Sequence, residues 1–238
     1  DGESIEKECK HIEWDIHAAE KGGYEHFMLK EMNEQPKTIR DTISPRIKDG
    51  RIVIDELGMS DEEIRNISRI HIVACGSAYH TGFTSKYIFE GMARIPVDVD
   101  VASEFRYRNP ILEDGALVII ISQSGETADS LAALRMAKER GVKTLGIVNV
   151  VGSSIAREAD KVMYTWAGPE IAVATTKAYS AQVTLLSFLA YSLAKKSKDK
   201  EVLNEVSTFL SDLNRLPILM QEILNNKDEY KCLADKIY

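Results

Sequence analysis

Ala116-Leu117-Val118-Ile119-Ile120-Ile121-Ser122-Gln123-Ser124-Gly125-Glu126-Thr127 joins an unbroken apolar run to a cluster of hydroxyl and amide side chains. Four of the first six residues are β-branched, and none is charged. Such a run is expected of a central parallel strand covered on both faces, which cannot show the polar alternation of a half-exposed strand. The alanine- and leucine-rich stretch Thr127 to Arg140 then predicts a helix, stopped at Gly141. Strand, polar loop, helix is the unit from which the rest of the chain is read.

The same unit recurs on either side. His71 to Ala74 predicts a short strand closing on Cys75-Gly76, followed by a helix over Ala78 to Met92 and a strand over Pro96 to Ala102. Downstream, Lys143 to Val150 predicts a strand, Ser153 to Ala159 a short helix and Val162 to Trp166 a further strand. Strands alternating with helices at this spacing imply βαβ units and a parallel sheet of about five strands. Long helices are expected over Thr175 to Lys196, Lys200 to Leu213 and Pro217 to Leu224, with one more from Asp228 to Tyr238. The first fifty residues differ: a mixed polar segment, Ile12 to Ala19, breaks at Gly22-Gly23 before a helical spacing from Tyr24 to Glu34. Pro36 is expected to open or kink a following helix toward Thr42, which Ser44-Pro45 ends. The organisation expected is therefore linker and helical arm over 1–50, an α/β domain over 51–200 and C-terminal helices over 201–238.

Composition narrows the function classes. The chain has 238 residues, 44% hydrophobic and 28% charged, which suits a packed globular core. Its net charge of −7 argues against nucleic acid and anionic membrane as partners, since both reward basic surfaces. The least polar segment, Ala178 to Ala194, is too short to span a bilayer comfortably and is interrupted by Ser180, Gln182, Thr184 and Ser187. Cys9, Cys75 and Cys232 are scattered and odd in number, so a reducing, cytoplasmic setting is expected, with neither disulfide frame nor zinc site. Asp1-Gly2-Glu3-Ser4 has no basic or apolar leader character. No cofactor is expected, because neither G-x-G-x-x-G nor G-x-x-x-x-G-K-[ST] occurs.

In an open parallel sheet, ligands bind beyond the carboxyl ends of the strands. Three polar loops fall there: Cys75 to Thr81, Ser122 to Thr127, and Gly168 to Lys177. The second has the chemistry of an anion nest. A helix N-terminus leaves backbone N–H groups free and carries partial positive charge, and Ser122, Ser124 and Thr127 add hydroxyl donors around a permissive Gly125. A helix cap made by Ser124 or Thr127 explains the same residues, and on spacing alone both readings stand. Glu126 reads as a first-turn carboxylate favoured by the dipole rather than as a base. His71 reads as structural, Cys75 as a small buried residue, and Lys177 as facing either an anion or a partner chain.

Several stretches together resemble the isomerase part of the glucosamine-6-phosphate synthase family, the isomerising glutamine:fructose-6-phosphate amidotransferases. They are His26-Phe27-Met28-Leu29-Lys30-Glu31 with Glu34-Gln35-Pro36, Ala74-Cys75-Gly76, and Ala102-Ser103-Glu104-Phe105-Arg106-Tyr107-Arg108, joined by Ser122 to Asp129 and Ala174 to Ala178. The resemblance implies a three-layer αβα sandwich with a five-stranded parallel sheet, the sugar isomerase (SIS) fold, as the first of two such subdomains. It implies that Ser122, Gln123, Ser124 and Thr127 hold a sugar phosphate, while Ser77, Val173 and Thr175 line the sugar pocket. Fructose 6-phosphate or glucosamine 6-phosphate is the implied ligand and a homodimer the implied assembly. The loop after Cys75-Gly76 departs from the family pattern, since Ala78 stands where a hydroxyl is common. No catalytic residue is assigned, because the resemblance puts the base, the ring-opening histidine and the Schiff-base lysine in a second subdomain and tail; the chain alone is therefore expected to be inactive. The alternative is a sugar-phosphate-sensing SIS module of a regulator.

Overall fold

The computed structural model describes residues 19–195 and 208–237. The apolar run becomes β5 (Ala116–Ser122), buried along its whole length. It pairs with β3 (Arg69–Ala74) on one side and β6 (Lys143–Val148) on the other, both in parallel register. β4 (Val97–Val101) and β7 (Lys161–Tyr164) complete a five-stranded parallel sheet in the order β4-β3-β5-β6-β7. The order turns at β3 and β5, so crossovers run outward from the centre and leave a crevice at the carboxyl ends of these two strands.

Strand alternation sorts the apolar side chains into two cores. Ile72, Ile119, Ile121 and Ile147 point to the face covered by α3 (Gly76–Met92) and α7 (Lys177–Lys195), against Phe89, Leu185 and Leu189. Val73, Val118, Ile120 and Val148 point to the other face, under α4 (Ala102–Tyr107), α5 (Ala128–Glu139) and α6 (Ser154–Glu158). This is the expected αβα sandwich. Gly82 sets how closely α3 lies on the sheet: a Cβ there would stand 2.8 Å from Ile72 Cγ2 and 2.9 Å from Val99 Cγ1.

Among the described residues, the stretch from Tyr24 to Thr42 holds one α-helix rather than two. α1 (Phe27–Ile43) runs through Pro36 without a break. Pro36 cannot donate to the Met32 carbonyl, and the Gln35 side-chain amide donates to it instead, at 3.3 Å. The helix packs against α7, with Ile39 and Ile43 in a cluster with Phe188 and Leu213. Its end is tied to the sheet: Thr42 Oγ1 donates to the Thr165 carbonyl at 2.6 Å, and the fully buried Arg46 donates to the Tyr164 carbonyl and pairs with Glu56. A two-strand hairpin (β1, Ile47–Lys48, with β2, Arg51–Ile52) and a short helix, α2 (Asp61–Arg65), lead into the sheet. Ser60 and Glu63 close α2 with reciprocal side-chain to backbone bonds.

A second proline also stands inside a helix. α8 (Phe209–Asn225) passes through Pro217, where a new helix was expected to start. α9 (Lys227–Ala234) follows directly. Most of the segment expected over Ile12 to Ala19, and the beginning of the helix expected from Lys200, lie outside the described residues.

Candidate functional site

The crevice at the carboxyl ends of β3 and β5 holds a cavity of about 250 Å³. Ser77, Ser122, Gln123, Ser124, Thr127, Val173 and Thr175, which are separated by almost a hundred positions, all line it. Cavities of about 340 and 390 Å³ exist elsewhere, the first around the amino ends of β5 and β6. Size alone does not mark the site; convergence of polar groups at the strand ends does.

The loop after β5 is held by its own hydroxyls. Ser122 is buried, and its Oγ accepts from the Gly125 N–H at 3.0 Å and lies 3.0 Å from Thr127 Oγ1. Ser124 Oγ accepts from the Glu126 N–H at 3.2 Å. Gly125 has φ +68°, and a Cβ there would collide with the Ser153 side chain. Thr127 occupies the N-cap position of α5, yet its side chain makes no capping bond. The sequence left open whether Thr127 or Ser124 capped this helix; neither side chain does, and the first-turn N–H groups keep their donor capacity.

The neighbouring α3 is alike. Cys75 sits at its N-cap position in extended backbone with no side-chain cap. The thiol is half-buried, with Ser130 Oγ 3.9 Å away. Two helix N-termini without side-chain caps therefore meet at one cavity, each adding partial positive charge. Ala78 lines it as well and brings no hydroxyl; Ser77 is the hydroxyl of that turn.

α7 differs, and here the sequence reading missed the decisive side chain. Glu170 accepts from Thr175 Oγ1 at 2.7 Å, from the Thr176 N–H at 3.0 Å and from the Ala178 N–H at 3.2 Å. Its carboxylate occupies the start of α7 and is the charged group among the residues lining the cavity. The cavity is thus polarised: donor-rich at the β3 and β5 loops, anionic at the α7 end. Gln182, one turn into α7, is buried and accepts from Thr81 Oγ1 at 3.1 Å, joining α7 to α3 beneath the cavity. Glu170 has a recognisable signal in retrospect, a carboxylate a few residues before a helix start, although a longer separation than usual hides it.

Two readings are revised. Glu126 lies before α5, and its carboxylate accepts from the Ser154 N–H at 2.7 Å, the first turn of α6 rather than of its own helix. That bond holds its pKa below the ordinary carboxylate value. Lys177 does not line the cavity; its side chain is buried and pairs with the Glu34 carboxylate of α1 at 2.7 Å. His71, read as structural, is buried in β3 between Asp98 and Glu113 and does not line the cavity. Among the described residues, no group of three or more His, Cys, Asp or Glu side chains is arranged to hold a metal ion.

The family model described as the SIS domain matches residues 63–192, more than half of the chain. The chain belongs to the SIS-domain family. Within this family it is 53% identical, over its whole length, to the isomerizing glutamine–fructose-6-phosphate aminotransferase of Clostridium acetobutylicum. It is 52% identical to the enzyme of the same name from Caldanaerobacter subterraneus subsp. tengcongensis. The SIS chain spans 39% of the length of each of these relatives. Among solved structures, the C-terminal domain of glucosamine-fructose-6-phosphate aminotransferase from Francisella tularensis superposes with a TM-score of 0.80 at 39% identity. The match covers 89% of this SIS chain and 59% of that one. The SIS model spans every strand of the sheet and all three loops of the cavity.

Proposed function

We propose that this chain binds the phosphate end of fructose 6-phosphate or glucosamine 6-phosphate, as the first SIS subdomain of an isomerising glutamine–fructose-6-phosphate aminotransferase. The whole enzyme would convert fructose 6-phosphate and glutamine to glucosamine 6-phosphate and glutamate. The observation that carries the reading is the meeting of two helix N-termini without side-chain caps, at α3 and α5, with the serine- and threonine-rich loop 122–127. Phosphate oxygens would accept from the loop hydroxyls and first-turn N–H groups, charge-assisted bonds contributing about 1.5–3 kcal/mol each. Glu170 repels an anion from the α7 end, so the phosphate belongs at 122–127 and the sugar toward Val173 and Thr175.

The roles of Ser122, Gln123, Ser124 and Thr127 differ within this reading. Ser122 shapes the loop from beneath, while Gln123, Ser124 and Thr127 are only partly buried and face the ligand. No catalytic residue is assigned to this chain, and an amino-sugar assay on it alone is expected to show no turnover. A cytoplasmic setting and action on a small metabolite, without nucleic acid, fit the net charge of −7. Self-association belongs to the same reading, with Ile218, Leu219 and Ile223 exposed along α8 as a candidate surface; sedimentation equilibrium showing only monomer at rising concentration would remove that part.

The test is a calorimetric titration with fructose 6-phosphate, repeated on the Ser122→Ala/Thr127→Val double variant. The variant is expected to bind at least about tenfold more weakly, the loss of one or more charge-assisted bonds. Equal affinity in the two proteins would sink the phosphate assignment.

A further inference from the structure

The loop 168–176 reaches the cavity without regular secondary structure. It carries Val173, whose side chain is fully exposed, and Thr175. A loop of this kind presents its residues in one place only if its backbone is anchored. Glu31 of α1 supplies such an anchor from about 140 positions away. Its Oε1 accepts from two consecutive backbone N–H groups, Ile171 at 2.6 Å and Ala172 at 3.1 Å. The Glu31 side chain is almost wholly buried, and its Oε2 has no hydrogen-bond partner. A buried carboxylate with one oxygen unpaired is costly for folding, so its presence between α1 and the loop asks for a function beyond packing. One turn along α1, Glu34 holds Lys177 at the start of α7, and Gln35 accepts from Ser180 Oγ at 2.6 Å. The same face of α1 therefore grips both the loop and the helix that the loop leads into.

We propose that Glu31 is a positioning residue for the sugar end of the cavity: through the Ile171 and Ala172 amides it sets where Val173 and Thr175 stand. The inference rests on the sugar-phosphate reading above for its ligand, and on the loop geometry for the rest. Glu31 touches no ligand itself; it does not line the cavity. Its removal should therefore weaken recognition of the sugar while sparing the phosphate nest at 122–127, which a general loss of fold would not do.

The experiment compares the wild-type chain with Glu31→Ala and Glu31→Gln. Fructose 6-phosphate and inorganic phosphate are titrated separately, following the Gly125 and Glu126 amide resonances, and hydrogen exchange is measured across residues 168–176 without ligand. Glu31→Ala is expected to bind the sugar phosphate about tenfold more weakly, to bind inorganic phosphate as the wild type does, and to exchange the Ile171 and Ala172 amides faster. Glu31→Gln keeps an acceptor for both amides and should recover part of the affinity. Unchanged sugar-phosphate affinity in Glu31→Ala, unchanged exchange, or a parallel loss of both ligands would each overturn the inference. If the wild type binds neither ligand, the sugar-phosphate reading falls by itself. The exchange of the two amides then decides whether Glu31 holds the loop.

Discussion

At the residue scale, the site depends on where single polar groups spend their hydrogen bonds. A threonine at an N-cap position ordinarily satisfies its own helix. Thr127 instead bonds sideways to Ser122, because Ser122 lies buried at the end of β5 with its hydroxyl turned into the loop. Gly125 makes this geometry possible through its left-handed backbone and its contact with Ser153. Gly125→Ala is expected to lower stability by about 1–3 kcal/mol, from backbone strain and the collision together. Urea unfolding checks it; a midpoint equal to the wild type would mean that the loop relaxes at no cost. The hydroxyl-rich composition of this loop was legible in the sequence. The role of Glu170 was hidden by its distance along the chain from the start of α7, and that of Glu31 was not legible, since a carboxylate whose partners are backbone N–H groups leaves no mark on the residues that donate them.

At the element scale, the apolar run and its flanking helices followed from periodicity alone, and the ends of β5, α5 and α6 fall within one or two residues of expectation. The prolines misled. A proline in a helix interior usually costs about 3 kcal/mol, which makes a break the natural reading at Pro36 and Pro217. Both helices continue because tertiary packing outweighs that cost: α1 buries Ile39 and Ile43 against Phe188 of α7, with Leu213 of α8 in the same cluster. Phe188 is central, fully buried and edge-on to Phe209 at 6.3 Å. Phe188→Ala is expected to cost about 3–5 kcal/mol, measured by chemical denaturation. A loss below about 1 kcal/mol would show that the cluster is not what holds α1 in place.

At the scale of the whole molecule, charge and burial meet at His71. It lies on β3 opposite Asp98 of β4, with Glu113 beyond its other nitrogen and Arg69 bridging the same two carboxylates. Phe105 of α4 closes the remaining side, its ring 6.2 Å away. Burial pushes the imidazole pKa below its ordinary 6.5, against the pull of the Asp98 and Glu113 carboxylates. The unfolded chain then takes up a proton near pH 6.5 that the folded chain resists, so stability falls as pH drops through this value. Thermal unfolding between pH 5 and 7 should show that fall in the wild type and a flatter profile in His71→Gln. Identical slopes would place the pH dependence on other groups.

The sequence by itself determined the strand-loop-helix units, the parallel sheet and the hydroxyl-rich loops at the strand ends, because these rest on local periodicity and on side-chain chemistry. Only the tertiary structure decided that α1 is part of the cavity's support, that Lys177 turns toward Glu34, and that Glu170 makes one end of the cavity anionic. The Glu31 and Lys177 contacts join residues about 140 positions apart through one or two hydrogen bonds, which no periodicity records. Glu170 lies close to its partners, but the path of an irregular loop, rather than a repeat, brings them together.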